Sequence, residues 1–253
     1  MSKGWQRVRA TAERTLATDE SSATAHEALA QYFGSCEYNW PQADKELTQA
    51  RALKSGSVST QFVIGRFAFA RGRYEEARQL MDATLSVDPL NPLIYQVAAW
   101  KRYLRGDLTG GESLIRRSIA LSPTFLQSHF VFGAILIARG ELQSALAQMQ
   151  AETPEGGRDE GIALVYQALA RKADSDAACA RFMRDYAAAQ PEGIAKIYAA
   201  RQHSDKAFEW LDKAYAVGDA ELLFAPDNPV FRSLHADPRW RALLRKTNLA
   251  DLP

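Results

Sequence analysis

The chain repeats itself at a fixed step. Gly72, Gly106 and Gly140 are 34 residues apart, and Pro89 and Pro123 keep the same interval. Tyr74, Leu108 and Leu142 follow each glycine by two residues, and Ala77, Gly111 and Ala145 follow it by five. Met81, Ile115 and Met149 are in phase, and so are Gly65, Ala99 and Gly133, seven residues before each glycine. A period of this length means a stack of supersecondary units, each burying its apolar face against the next. Apolar residues between the marks fall at helical spacing, as in Ala77, Leu80, Met81 and Leu85. Each mark has a physical task. Small residues on both helices let an antiparallel pair approach closely. The glycine takes positive φ and ends the first helix. Asp107 or Glu141 helps start the second helix, and the proline stops it.

The same reading extends outward. Residues 58–89, 92–123 and 126–152 are the clear helix pairs, and 22–54 is a noisier one whose turn is longer, with Pro41 in the first turn of its second helix. Residues 5–21 read as a single N-terminal helix, half of a repeat. It is either a cap or the continuation of a longer polypeptide. Glu152-Thr153-Pro154-Glu155-Gly156-Gly157 is the strongest loop signal and reads as an irregularity between repeats that could hinge. Two further pairs are expected at 159–189 and 192–217. The tail, 220–253, is expected to cover the open end of the stack, with Asp237 and Pro238 starting a last helix that carries Trp240, Leu243 and Leu244.

A 34-residue unit with these marks resembles the tetratricopeptide repeat (TPR) family. Gln61 and Gly111 stand where that family usually has Trp and Ala. The tail narrows the likeness. Ile197-Tyr198-Ala199, the run from Asp205 to Tyr215, Leu222-Leu223-Phe224, Phe231 to Leu234, and Asp237 to Leu244 resemble the C-terminal TPR region of bacterial signalling proteins. In those it follows a winged-helix, nucleotide cyclase or kinase domain; no motif of such a domain stands in this chain. The resemblance implies an all-α, right-handed superhelical solenoid of helix-turn-helix repeats, one domain over 1–253, with a C-terminal capping helix.

Composition excludes several functions. Lys plus Arg number 31 against 30 for Asp plus Glu, so the excess of basic charge that a general polyanion binder needs is missing. Nucleic acid is therefore not an expected partner, and the basic clusters on the first and last helices read as solvated faces. The longest apolar run, Phe130 to Ala138, is about half of what a membrane span needs. No apolar signal core follows the N-terminus, and a cytoplasmic protein is expected. Cys36 and Cys179 form no metal-type pair, and His26, His129, His203 and His235 stand singly. Neither a phosphate-binding glycine loop nor a nucleophile elbow occurs. Glu75-Glu76 and Asp159-Glu160 read as solvated carboxylates in first helical turns. The expectation is no catalytic residue, no metal and no cofactor.

The resemblance places ligands on the concave face, lined by the first helix of each pair. Helical spacing puts Phe62, Arg66 and Phe69 there, then Gln96, Trp100 and Tyr103, then Phe130 and Ile137, with Ser59, Leu93, Gln127 and Ala134 beside them. A face this aromatic suits a hydrophobic peptide or a partner helix. Something should cover it: a partner, an apolar ligand, the N-terminal helix or another copy of the chain. Alternatively, twist between repeats buries several of these residues. The leading function is a protein-interaction scaffold binding a partner peptide or helix; the alternative is a ligand-sensing or regulatory module of a bacterial signalling or transcription-regulatory protein. Self-association stays open.

Overall fold

The computed structural model describes residues 3–54, 57–155 and 157–250. Among them the structure is helical throughout, with fourteen α-helices and two 3-10 segments. After α1 (Lys3–Thr18) the helices come in pairs: α2 (Ala23–Ser35) and α3 (Trp40–Leu53), α4 (Val58–Ala70) and α5 (Tyr74–Val87), α6 (Pro92–Leu104) and α7 (Leu108–Leu121). Next come α8 (Ser128–Arg139) and α9 (Leu142–Ala151), α10 (Arg158–Ala168) and α11 (Lys172–Tyr186), α12 (Pro191–Ala200) and α13 (Ser204–Val217). The 3-10 segments Ala220–Asp227 and Pro229–Leu234 lead to α14 (Pro238–Lys246).

Local chemistry accounts for the boundaries. Gly72, Gly106 and Gly140 adopt φ of 74°, 79° and 79°, the left-handed turn that closes the first helix of a pair. In the last two pairs Ala170 and Gln202 do this at φ 58° and 61°, so the turn persists where the glycine signal does not. Asp107 caps α7 by accepting from the Gly110 N–H, whereas Glu141 makes no cap bond to α9. Asp237 accepts from the Arg239 N–H and Pro238 opens α14. The small residues do allow close approach: a Cβ at Gly133 would stand 2.6 Å from the Met149 methyl.

The chain divides into two compact units, each assembled from separated stretches of sequence. The first contains residues 1–87, 212–226 and 235 onward. Its core includes Tyr32, Phe67, Ala43 and Ala50 on the helix pairs, and Leu222, Leu223 and Phe224 from the tail. Burial of each of those three tail side chains contributes roughly 1.5–3 kcal/mol. Tyr215 stacks on Tyr38 at 5.5 Å, the Trp40 indole donates to the Asn248 carbonyl at 3.0 Å, and the Asn248 amide donates to the Tyr38 carbonyl at 3.0 Å. Trp5 likewise donates to the Gly218 carbonyl at 2.6 Å. Parts of the tail thus pack on α4, on Trp40 of α3 and on the turn before it, where an end-cover was expected from spacing.

The second unit contains residues 88–211 and 227–234. Ala163, Ala178, Cys179, Phe182, Ile194 and Ile197 form one cluster of its core. Pro229–Leu234 packs on α12 and buries Phe231 and Leu234, and Asp227 pairs with Arg105 at 3.0 Å. The loop between α9 and α10 lies wholly inside this unit; Gly156, part of the loop signal, is outside the described residues.

Candidate functional site

In the first unit, Phe62, Arg66 and Phe69 occupy one face of α4 at i, i+4 and i+7. Phe69 is buried edge-on against Tyr74 at 5.1 Å and against Phe224 of the tail at 6.1 Å. Arg66 is half-buried, with its guanidinium 5.5 Å from the centre of the Phe224 ring. Burial pushes its pKa down, partly offset by the charge of Glu221. Among the described residues Arg66 has neither an ion pair nor a hydrogen bond. Phe62 is half-buried. Ser59, exposed at its residue surface, still donates to the Glu27 carboxylate of α2 at 2.5 Å, and Thr60 donates to the same carboxylate.

In the second unit Trp100 and Tyr103 of α6 come together with Phe130 of α8. Trp100 stacks on Tyr103 at 5.0 Å and lies 6.3 Å from Phe130. Gln96, Tyr103 and Phe130 are buried, while Trp100 and Ile137 are half-buried. The Trp100 Nε1–H is inaccessible to water and has no acceptor among the described residues, a costly state for a donor. Burial pushes the Tyr103 hydroxyl up to about 12, against a smaller opposing influence of Lys196.

Beside this wall lies a buried charge cluster that the sequence did not disclose. Lys196 Nζ on α12 is 2.7 Å from Glu160 and 3.0 Å from Glu192, and 5.3 Å from the centre of the Phe130 ring. Burial alone would push the Lys196 ammonium down; the two carboxylates outweigh it and raise it. The ammonium is held charged, which disqualifies it as an amine nucleophile at neutral pH. Glu160 corrects the reading of Asp159-Glu160 as a solvated pair: Asp159 pairs with Arg181 at 2.7 Å on the surface, while Glu160 is 5% exposed. The available signal was its equivalence to Glu192 one helix pair later, with Lys196 four residues on. Glu152, also buried, accepts from the Phe130 N–H at 3.0 Å and the Thr153 N–H at 2.8 Å, satisfying a donor in the first turn of α8.

The isolated histidines and cysteines have ordinary surroundings. His26 bonds Glu46 at 2.6 Å, His129 bonds Gln148 at 2.7 Å, and His235 stacks on Trp240 at 4.6 Å. Cys36 and Cys179 are buried, unpaired thiols whose pKa values burial pushes up. Among the described residues there is no metal-type cluster of three His, Cys, Asp or Glu side chains, and no helix long and apolar enough to cross a membrane.

No family model and no curated protein matches the chain. Solved structures do. The type IV pilus biogenesis factor PilW is 18% identical, with a TM-score of 0.59 over 75% of this chain and 89% of its own. Pseudomonas aeruginosa pilF is 20% identical, with a TM-score of 0.54 over 72% of this chain and 85% of its own. A tetratricopeptide repeat protein from Parabacteroides merdae is 12% identical, with a TM-score of 0.50 over 92% and 94%. The likeness is one of fold: the chain has the all-α, tetratricopeptide-type helical-repeat architecture.

Proposed function

We propose that this chain is a non-catalytic protein-interaction scaffold that holds an apolar peptide or helix of a partner on the first helices of its repeats. The observation that carries this reading is the aromatic wall of α6 and α8. There Trp100 stands half-buried on Tyr103 and Phe130, with a donor that nothing in the described chain satisfies. Large aromatics with a polar handle are the usual anchors of protein interfaces. Within the first unit, the half-buried Phe62 and the unpaired Arg66 of α4 offer a separate apolar face with one cation on it. Two buried, unpaired thiols fit a reducing, cytoplasmic setting.

The test is affinity capture from the source lysate with wild type, Phe62→Glu and Trp100→Glu. Phe130 and Tyr103 are left intact because burial makes them part of the core. A protein retained by wild type and lost from variants of unchanged circular dichroism supports the reading. Equal recovery from all three sinks it.

A regulatory module is the second reading. It is supported by the placement of Phe224, which lies against Phe69 and Arg66 on α4. That face is held by the chain's own tail, so a partner that competes for it would change the tail's position. A Phe224→Ala variant that stays folded should then capture more partner than wild type; unchanged capture argues for the plain scaffold.

A further inference from the structure

The turns of two consecutive helix pairs in the second unit line a half-open pocket of about 310 Å³, formed by Gln167, Ala170, Lys172, Asp176, Arg201 and His203. It shares no residue with the aromatic wall. Arg201 is the fixed element. Its side chain is 11% exposed; Nη2 donates to Ser175 Oγ at 2.8 Å and lies 3.1 Å from Asp176 Oδ1. Ser175 is itself buried and donates to the Ala163 carbonyl at 2.9 Å. The guanidinium is thus anchored by Ser175 and Asp176, with the Cys179 thiol also hydrogen-bonded to it and the Tyr198 ring centre 6.0 Å from its Cζ. The His203 ring is oriented by stacking on Tyr198 at 6.3 Å and 26°. Neither ring nitrogen has a hydrogen-bond partner among the described residues, and neither has the Gln167 amide.

The charges of the lining residues do not balance one another. Asp176 is the carboxylate of the lining, and it is shared by Lys172, at 2.7 Å, and Arg201. The Lys172 hydrogen bond, with smaller contributions from Arg201 and His203, holds the Asp176 carboxyl below its usual range, so it stays ionised. Among the lining residues Lys172 and Arg201 outnumber Asp176 by one positive charge. Lys206, 5.2 Å from the Tyr198 ring centre, adds positive potential nearby. Helix α11 begins at Lys172 without a side-chain cap, and α13 begins at Ser204, the residue after His203. Each of these helix starts also carries a carboxylate in its first turn, Asp174 and Asp205, which offsets the partial positive charge of the helix end.

We propose that this cavity binds the phosphoryl group of a small soluble phosphate ester. A planar guanidinium fork held in place in the pocket wall suits an oxyanion better than a point charge does. The single leftover positive charge of the lining favours an anionic group. The volume stands at the low end of small-molecule sites, which fits a short ester and excludes a dinucleotide or an extended peptide. This site is independent of the scaffold reading and would stand if that reading fell.

The experiment is titration of the full chain at constant ionic strength by calorimetry and phosphorus NMR. The probes are inorganic phosphate, glycerol phosphate and acetate, with phosphatidic acid vesicles in a co-sedimentation arm. Saturable binding of the two phosphates at one site is expected, with acetate weaker by about tenfold or more. Arg201→Gln should weaken phosphate by about tenfold or more. Because Arg201 also braces Ser175, the exposed-side variant His203→Ala/Lys172→Glu is the second arm, expected to weaken phosphate similarly while its melting curve stays that of wild type. Three results overturn the proposal: no saturable phosphate binding by wild type, phosphate affinity unchanged in the folded double variant, or capture by vesicles without binding of soluble phosphate.

Discussion

Lys196 shows how a single residue decides the state of its surroundings. Two carboxylates, Glu160 and Glu192, are 5% and 3% exposed, and the ammonium between them is what makes their burial tolerable. Lys196→Met should cost roughly 3–5 kcal/mol, because it leaves two like charges facing each other in the core. The triple variant Glu160→Gln/Glu192→Gln/Lys196→Met should recover much of that loss, since the desolvation of all three charges disappears with them. Urea melts of the two variants against wild type measure the difference. Tyr103 gives a second reading at this scale. Burial pushes its hydroxyl up to about 12, so above the unfolded value, about 10, the unfolded chain releases a proton that the folded chain keeps. Stability is therefore intact below pH 10 and falls between about 10 and 12. Tyr103→Phe should flatten that decline by about 1.4 kcal/mol at pH 11 relative to wild type, seen in melting temperatures taken at pH 9, 10 and 11. An identical alkaline decline in both proteins would remove Tyr103 as its source.

Helices and turns were the most legible level. The 34-residue step located α4 to α9 because each glycine, small residue and proline answers a local demand of chain geometry. In the last two pairs the same turn is made by Ala170 and Gln202, whose side chains strain a left-handed conformation, so the glycine signal fails there although the geometry does not. Apolar spacing alone carried those pairs. Ala170→Gly should consequently stabilise the protein, or at least be neutral. Relief of roughly 1–2 kcal/mol of strain competes with roughly 0.5–1 kcal/mol of added freedom in the unfolded chain. Asp107→Ala should lose roughly 0.5–2 kcal/mol with the α7 cap, whereas Glu141→Ala, at the equivalent place without a cap bond, should lose less. Chemical denaturation of the three variants checks the order. The site was half legible. Spacing named the apolar residues of the first helices, but it could not say that Gln96, Tyr103, Phe130 and Phe69 are buried within the chain itself. Their cover comes from residues far away in sequence, such as Phe224 over Phe69.

At the scale of the molecule, sequence order and spatial order part company. Residues 212–226 and those from 235 onward belong to the same compact unit as residues 1–87, and 227–234 belong with 88–211. The tail is apolar enough to demand a partner surface, yet nothing in Leu222-Leu223-Phe224 specifies which one. That choice is made by shape and by bonds such as Asn248 to the Tyr38 carbonyl and Trp40 to the Asn248 carbonyl. Contacts of such sequence separation form late, since the closure of a long loop precedes any stabilisation it brings. The first unit should therefore depend on its tail more than on any of its own turns. Phe224→Asp places a charge against Phe69 and beside the unpaired Arg66, which softens the insult electrostatically but not sterically. Amide exchange followed by mass spectrometry should show lost protection in α2, α3 and α4. The α10–α11 pair, whose core cluster of Ala163, Ala178 and Phe182 contains no residue of that tail segment, should keep its protection. Equal loss in both regions would mean that the two units open as one cooperative body. No loss in either would mean that the tail is dispensable to the fold.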